Sequence, residues 1–163
     1  MIRFTRGNLL EARVDALVNT VNTVGVMGKG IALMFKEAHP DNFRAYAATC
    51  KAGQLSPGGL FITERHSMFG RRLIINFATK DHWRHPSRLE WVRRGLVALR
   101  AEITTRAIQS IAIPPLGAGN GGLDWDDVKP LIVEALSDLD CDIVIYEPTP
   151  AYQKIVKRNA SRG

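Results

Sequence analysis

Residues 19–32 constrain this chain more than any other stretch. Ala16-Leu17-Val18 is an apolar run, and Asn19 and Asn22 stand where it gives out. Gly25, Gly28 and Gly30 follow, and Ile31, Leu33, Met34 and Phe35 open a helical pattern. The order is strand, glycine-rich loop, helix. Glycine lets the backbone come close to a ligand and adopt positive φ at no cost. The amides at the start of the following helix favour anions. Such a loop suits a phosphate-bearing ligand, with asparagines able to read sugar hydroxyls.

The loop is not a nucleotide-triphosphate P-loop. That motif requires G-x-x-x-x-G-K-[ST], whose hydroxyl holds Mg²⁺. Here Gly28-Lys29 is followed by Gly30 and Ile31, and no glycine stands five residues before Gly28.

A second unit repeats the pattern. Ile111-Ala112-Ile113 is a short strand, and Pro114-Pro115-Leu116 leads into Gly117, Gly119, Asn120, Gly121 and Gly122. A helix then opens, with Asp124 as its cap and the acids Asp126 and Asp127 in its first turn. Gly117, Gly119 and Gly122 satisfy G-x-G-x-x-G, but too little chain remains for the sheet of a dehydrogenase. Two such units read better as two walls of one cleft beyond the carboxyl ends of parallel strands.

The rest of the chain fits a single α/β domain of 163 residues. The pattern gives strands at 2–5, 14–19, 60–63, 72–77, 110–114 and 142–146. Helices fall at 30–38, 43–50 and 125–139, and along Leu89, Val92, Leu96, Leu99 and Ile103. The strands at 60–63 and 72–77 are expected to form a hairpin around a loop at 66–70. Ser87-x-x-Glu90 reads as a capping box, and Pro130 as a kink or first-turn residue. Residues 147–163 read as a frayed end or the start of a linker. No signal peptide is expected, and no apolar run in these residues reaches membrane length. Cys50 and Cys141 lack metal spacing, and no HExxH or CxxC motif exists, so neither a disulfide nor a metal site is expected.

Charge adds a partner. The chain has 22 Lys and Arg against 16 Asp and Glu, a net charge of +6. Arg65, Arg71, Arg72, Lys80, Arg84, Arg88, Arg93 and Arg94 crowd its middle, interleaved with His82, Trp83 and His85. Cations among rings suit single-stranded nucleic acid, through phosphate contact and base stacking. A merely solvated basic face is the plainer alternative.

Together these segments resemble the macrodomain family of ADP-ribose-binding modules. They are in particular similar to the macrodomains of DNA ADP-ribosyl glycohydrolases, antitoxins to a DNA-modifying toxin. The resemblance rests on Gly7-Asn8-Leu9-Leu10, on residues 16–22 and 25–32, on Ile75-Asn76-Phe77-x-Thr79-Lys80, on His82-Trp83-Arg84 and on residues 114–125. It implies a three-layer α/β/α macrodomain over residues 1–150, with a mixed, mostly parallel central sheet and a tail or linker at 151–163. It implies an activity as well: removal of ADP-ribose from thymidine bases of single-stranded DNA, without a cofactor.

By the same resemblance Lys80 acts at the anomeric carbon of the distal ribose, assisted by Asn22. Lys80 follows the apolar strand at 73–77, and a desolvated lysine near other cations becomes a nucleophile or base. Ligand contacts carry over to Asn8, Leu9, Asn19, Thr20, Val26, Met27, Gly28, Gly30, Ile31, Pro115, Gly117, Gly119, Asn120, Gly121 and Gly122. His82, Trp83 and Arg84 are the expected DNA contacts. The implied partners are ADP-ribose, ADP-ribosylated single-stranded DNA and a cognate toxin held through a further C-terminal domain. A cytoplasmic monomer is expected.

Two positions depart from the pattern. Asn8 stands where many macrodomains have aspartate. Gly121 stands where the lysine-dependent glycohydrolases of eukaryotes place an aspartate. A reader that binds ADP-ribose without cutting, or a hydrolase of small ADP-ribose esters, are the alternatives.

Overall fold

The computed structural model describes residues 1–68 and 70–162. Its centre is β2 (Ala16–Val21), whose residues are almost all buried, as a strand covered on both faces must be. β2 pairs in parallel with β4 (Gly70–Ala78) on one side and β5 (Ser110–Ile113) on the other. β6 (Asp142–Tyr146) joins β5, and β1 (Ile2–Thr5) closes that edge, both in parallel. β3 (Leu60–Ser67) forms an antiparallel hairpin with β4 at the opposite edge. The order is β1-β6-β5-β2-β4-β3, a mixed, mostly parallel sheet as expected.

Alternation along the strands divides the core in two. Ala16, Val18, Leu73, Ile75 and Phe77 face α3 (Leu89–Thr105) and α4 (Trp125–Leu136), and pack with Leu96, Leu99, Val128 and Ile132. Leu17, Val21, Ile74 and Ala78 face α1 (Gly30–Ala38) and α2 (Pro40–Lys51), and pack with Phe35 and Tyr46. Helices thus cover both faces. α3 lies so close to the sheet that a Cβ on Gly95 would enter the Phe77 ring.

Asn19 and Asn76 face the α1–α2 layer and are both fully buried. They are direct register partners. Asn19 Nδ2 donates to Asn76 Oδ1 at 3.3 Å, and Asn42 on α2 exchanges amide bonds with Asn76 at 3.2 and 2.9 Å. Thr63 donates to Asn42 Oδ1 at 2.6 Å. The run links β2, β4, β3 and α2 through what is otherwise hydrocarbon.

Four local expectations change. β2 lies two residues later than the pattern suggests, since Thr20 and Val21 still pair with Phe77 and Ala78. The hairpin strands run to Ser67 and from Gly70, so the expected 66–70 loop is largely strand; Phe69 lies outside the described residues. The capping box at Ser87 does not form. α3 begins at Leu89 with Arg88 as N-cap and no side-chain bond, while Ser87 turns inward and gives its N–H to the Gly121 carbonyl at 2.9 Å. Finally, residues 150–162 form a helix, α5 (Pro150–Arg162), rather than a frayed end. Tyr152 packs on the core and donates to the Leu123 carbonyl at 3.1 Å. Asp124 caps α4 as the sequence indicates, accepting from Asp126 N–H at 3.0 Å. α4 continues through Pro130.

Candidate active site

The five parallel strands end on one side of the sheet, and a cleft of about 800 Å³ lies beyond those ends. Each strand contributes the loop that follows it. After β1 come Gly7, Asn8 and Leu9; at the end of β2 and beyond it come Thr20, Asn22, Val26, Gly28, Lys29, Gly30 and Ile31. Thr79, Lys80 and Trp83 follow β4, and Pro115, Gly117, Gly119, Asn120 and Gly121 follow β5. Tyr146 ends β6, and Glu147, Pro148 and Thr149 follow it, with Tyr152 of α5 beside them. This is the ligand position that parallel open sheets provide, and the volume lies in the usual range for small-molecule sites.

The sheet order sets the span. Asn8 follows edge strand β1, and Lys80 follows β4, four places away. At about 4.8 Å per strand the two ends stand roughly 19 Å apart. A mononucleotide would leave one end empty, whereas an extended nucleoside diphosphate carrying a second sugar would reach both. The glycine loops of β2 and β5 come between them, where a diphosphate would lie against main-chain amides.

The loop of β5 is built to close dimensions. Gly117 has φ +72°, a left-handed conformation, and its carbonyl accepts from Leu123 N–H at 3.0 Å. A Cβ on Gly121 would collide with the Gly117 carbonyl and Ser87 Oγ. Any side chain at this position would force the loop to shift. Asn8 caps the 3-10 turn Leu9–Glu11, its Oδ1 accepting from Leu10 N–H at 3.1 Å. Its amide NH₂ stays available beside the cleft.

Lys80 is half-buried at the opposite end. Its Nζ donates to the Asn120 carbonyl at 2.9 Å and to the Trp83 carbonyl at 3.4 Å. Burial, and then the nearby cation of Lys29, lower its pKa below the ordinary lysine value. The loop bearing Lys80 is tied to the loop bearing Asn22, because Thr23 Oγ1 donates to the Asp81 carbonyl at 2.8 Å.

Trp83 lies at the rim, 43% exposed. The Arg84 guanidinium sits over its indole at 4.6 Å, and the His82 ring stacks against it at 5.1 Å. Asp81 holds this segment, accepting from His82 N–H at 2.7 Å and facing His85 Nδ1 at 3.0 Å.

The cleft gathers most of the residues singled out from the sequence, but not all. Asn19 and Met27 do not line the cleft: both side chains are buried in the core beneath it, with Asn19 Nδ2 3.8 Å from Met27 Sδ. Gly122 lies outside the cleft, on the α5 side of its loop. His82 and Arg84 flank Trp83 outside the lining itself. Lys29 and the group Tyr146–Thr149 with Tyr152 are lining residues that sequence reasoning missed. The carboxyl-end rule, applied to the last strand as well as to the two glycine-rich ones, would have found Tyr146–Thr149. Nothing in the sequence marks Tyr152, because its helix reads as a polar tail.

Among the described residues no cluster of His, Cys, Asp or Glu could hold a metal ion, and no helix is long and apolar enough to cross a membrane.

Comparison with known proteins bears on the same cleft. The Macro domain family model matches residues 18–132. A Thermus aquaticus protein named DNA ADP-ribosyl glycohydrolase is 57% identical over 149 residues, 91% of this chain and 41% of the relative. The solved macrodomain of Mycobacterium tuberculosis DarG is 51% identical, with a TM-score of 0.88, over 91% of this chain and 99% of that one. The Thermosipho africanus DarTG structure in complex with ADP-ribose is 31% identical, with a TM-score of 0.86, over 92% of this chain and 42% of that one. The chain spans less than half the length of the DNA ADP-ribosyl glycohydrolases it matches.

Proposed function

The chain belongs to the Macro domain family, and from that premise we propose that it is a glycohydrolase module that removes ADP-ribose from bases of single-stranded DNA. Lys80 acts at the distal ribose and the adenosine half lies toward Asn8. The observation that carries this reading is the placement of one half-buried amine of lowered pKa at the end of a cleft long enough for the whole of ADP-ribose.

The bond that breaks joins a base nitrogen to the anomeric carbon of the distal ribose. The electron pair leaves with the nitrogen, which takes up a proton. The oxygen of water ends on the anomeric carbon, so the products are ADP-ribose and an unmodified base. Lys80 in its neutral form supplies the nucleophile or base at that carbon. The main-chain amides of the Gly28–Gly30 and Gly117–Gly121 segments hold the diphosphate still.

The DNA part of the reading is supported by Trp83 and Arg84, a stacked ring and cation at the mouth on the Lys80 side. A base joined to the distal ribose leaves the cleft there. Small esters of ADP-ribose would make no use of this platform. The relatives named above support the same substrate class, and the Thermosipho fusion of a DNA ADP-ribosyl transferase with a glycohydrolase supports a transferase as the source of the substrate.

The test compares the protein and its Lys80→Ala variant on an oligonucleotide carrying ADP-ribose on thymidine. Free ADP-ribose is expected from the first only, with both binding ADP-ribose by calorimetry. Binding without release by either would make this a reader module. Release from small esters but not from DNA would move the substrate class.

A further inference from the structure

Asn22 lines the cleft, yet most of its side chain is spent on its own loop. Its Oδ1 accepts from Val24 N–H at 3.1 Å and Val26 N–H at 3.4 Å, and its Nδ2 donates to the Val26 carbonyl at 2.8 Å. Backbone N–H groups only donate and a carbonyl only accepts, so these partners fix which end of the amide is which. One Nδ2 proton is left over, without a protein partner among the described residues, on a residue that borders the ligand space.

The residue behind this arrangement is Tyr46 of α2. It is fully buried, and its hydroxyl lies 2.7 Å from the Asn22 carbonyl oxygen and 2.9 Å from Asn22 Oδ1. Its single proton therefore serves an oxygen of Asn22 in either direction. Burial, and then the Cys50 thiol beside it, raise its pKa, so it remains a donor at any working pH.

We infer that Tyr46 is a positioning residue, locking the Asn22 carboxamide so that its free N–H donates into the cleft that Lys80 also lines. Asn22 then presents a donor, never its carbonyl, to an oxygen of the distal sugar. The inference rests on the proposed glycohydrolase reading for its kinetic consequence, but not for its geometry. Tyr46→Phe is the matching variant. It keeps the ring that fills the core and removes only the oxygen, while Asn22 Oδ1 keeps its two backbone donors.

The deciding measurement is NMR of the Asn22 side-chain amide in ¹⁵N-labelled protein. In the parent, added ADP-ribose is expected to shift the Nδ2 proton not bonded to Val26. In Tyr46→Phe the amide is expected to lose order while the backbone spectrum stays dispersed. A parent amide blind to ADP-ribose, or a Tyr46→Phe amide as ordered as the parent's, would overturn the inference whatever the turnover. Kinetics give the second arm. Tyr46→Phe is expected to lower kcat about tenfold, below the full loss of a fixed donor, with KM nearly unchanged. In an Asn22→Ala background the same change is expected to cost nothing more. An equal loss in both backgrounds would show that the hydroxyl does not act through Asn22. A parent that releases no ADP-ribose from DNA would sink the glycohydrolase reading alone, since the amide measurement still decides this one.

Discussion

Lys80 Nζ lies 2.9 Å from the carbonyl oxygen of Asn120, so one hydrogen bond crosses from the loop after β4 to the loop after β5. The two walls of the cleft meet at the residue proposed to react. Substrate entering at this end competes with the Asn120 carbonyl for the same amine.

The pH dependence of turnover follows from the environment of that amine. Burial and Lys29 lower its pKa, so the neutral form is present at lower pH than for a free lysine. Release of ADP-ribose is expected to rise with pH along one limb whose midpoint lies below the ordinary lysine value. Lys29→Gln removes the nearby cation and is expected to move that midpoint upward. A pH–rate profile of kcat for both proteins checks this, and an unmoved midpoint would assign the lowering to burial alone.

Arg84 stands outside the cleft lining, over Trp83. Arg84→Ala is expected to leave affinity for free ADP-ribose within about twofold while weakening the DNA-linked substrate. The slope of log K against log salt is expected to become shallower by about 0.7, the value for one phosphate contact on a single strand. Binding titrations at several salt concentrations read both quantities.

Gly121→Ala separates the glycine loop from the rest of the fold. Its Cβ would meet the Gly117 carbonyl and Ser87 Oγ, so the loop must shift. Affinity for ADP-ribose is expected to fall at least tenfold in calorimetry. Because the collision is confined to this loop and Ser87, the thermal midpoint should fall by only a few degrees.

Gly95→Ala is expected to do the reverse. Alanine is the better helix former by about 1 kcal/mol, but here the added methyl enters the Phe77 ring in the core. Overpacking of this kind costs about 1–3 kcal/mol, so the variant is expected to be less stable by urea denaturation, with ADP-ribose affinity retained in the folded protein.

His39 gives the fold its own acid sensitivity. Burial, then the charges of Arg65 and Arg72, hold its pKa at about 4, below the 6.5 of a free imidazole. Above pH 6.5 both folded and unfolded chains carry it neutral. Between 6.5 and 4 only the unfolded chain takes up the proton, so stability declines as pH falls through that window. Thermal midpoints from pH 7 to 4 are expected to fall less steeply for His39→Gln.

Much of this was legible in the sequence, for physical reasons. Strands buried on both faces read as apolar runs, and the two glycine clusters show where those runs end beside a ligand. The burial of Asn19 was not legible, because an asparagine at a strand end has the same appearance whether it faces a cleft or completes a buried amide chain. Only the β2–β4 register decides that. Ser87 was read as a cap because S-x-x-E is a local signal, and the packing of Gly121 against it is not local. The role of Tyr46 was hidden for the same reason: twenty-four residues of chain separate it from the amide it holds.

The paired amides of Asn19 and Asn76 also set a phase. If β2 slid by one residue against β4, a carboxamide would be stranded in hydrocarbon with no mate, so the lattice of the sheet penalises every misaligned arrangement. Asn22 comes three positions beyond one of these amides and Lys80 four beyond the other. The alignment of donor and amine is thereby decided deep inside the molecule, before any nucleotide arrives.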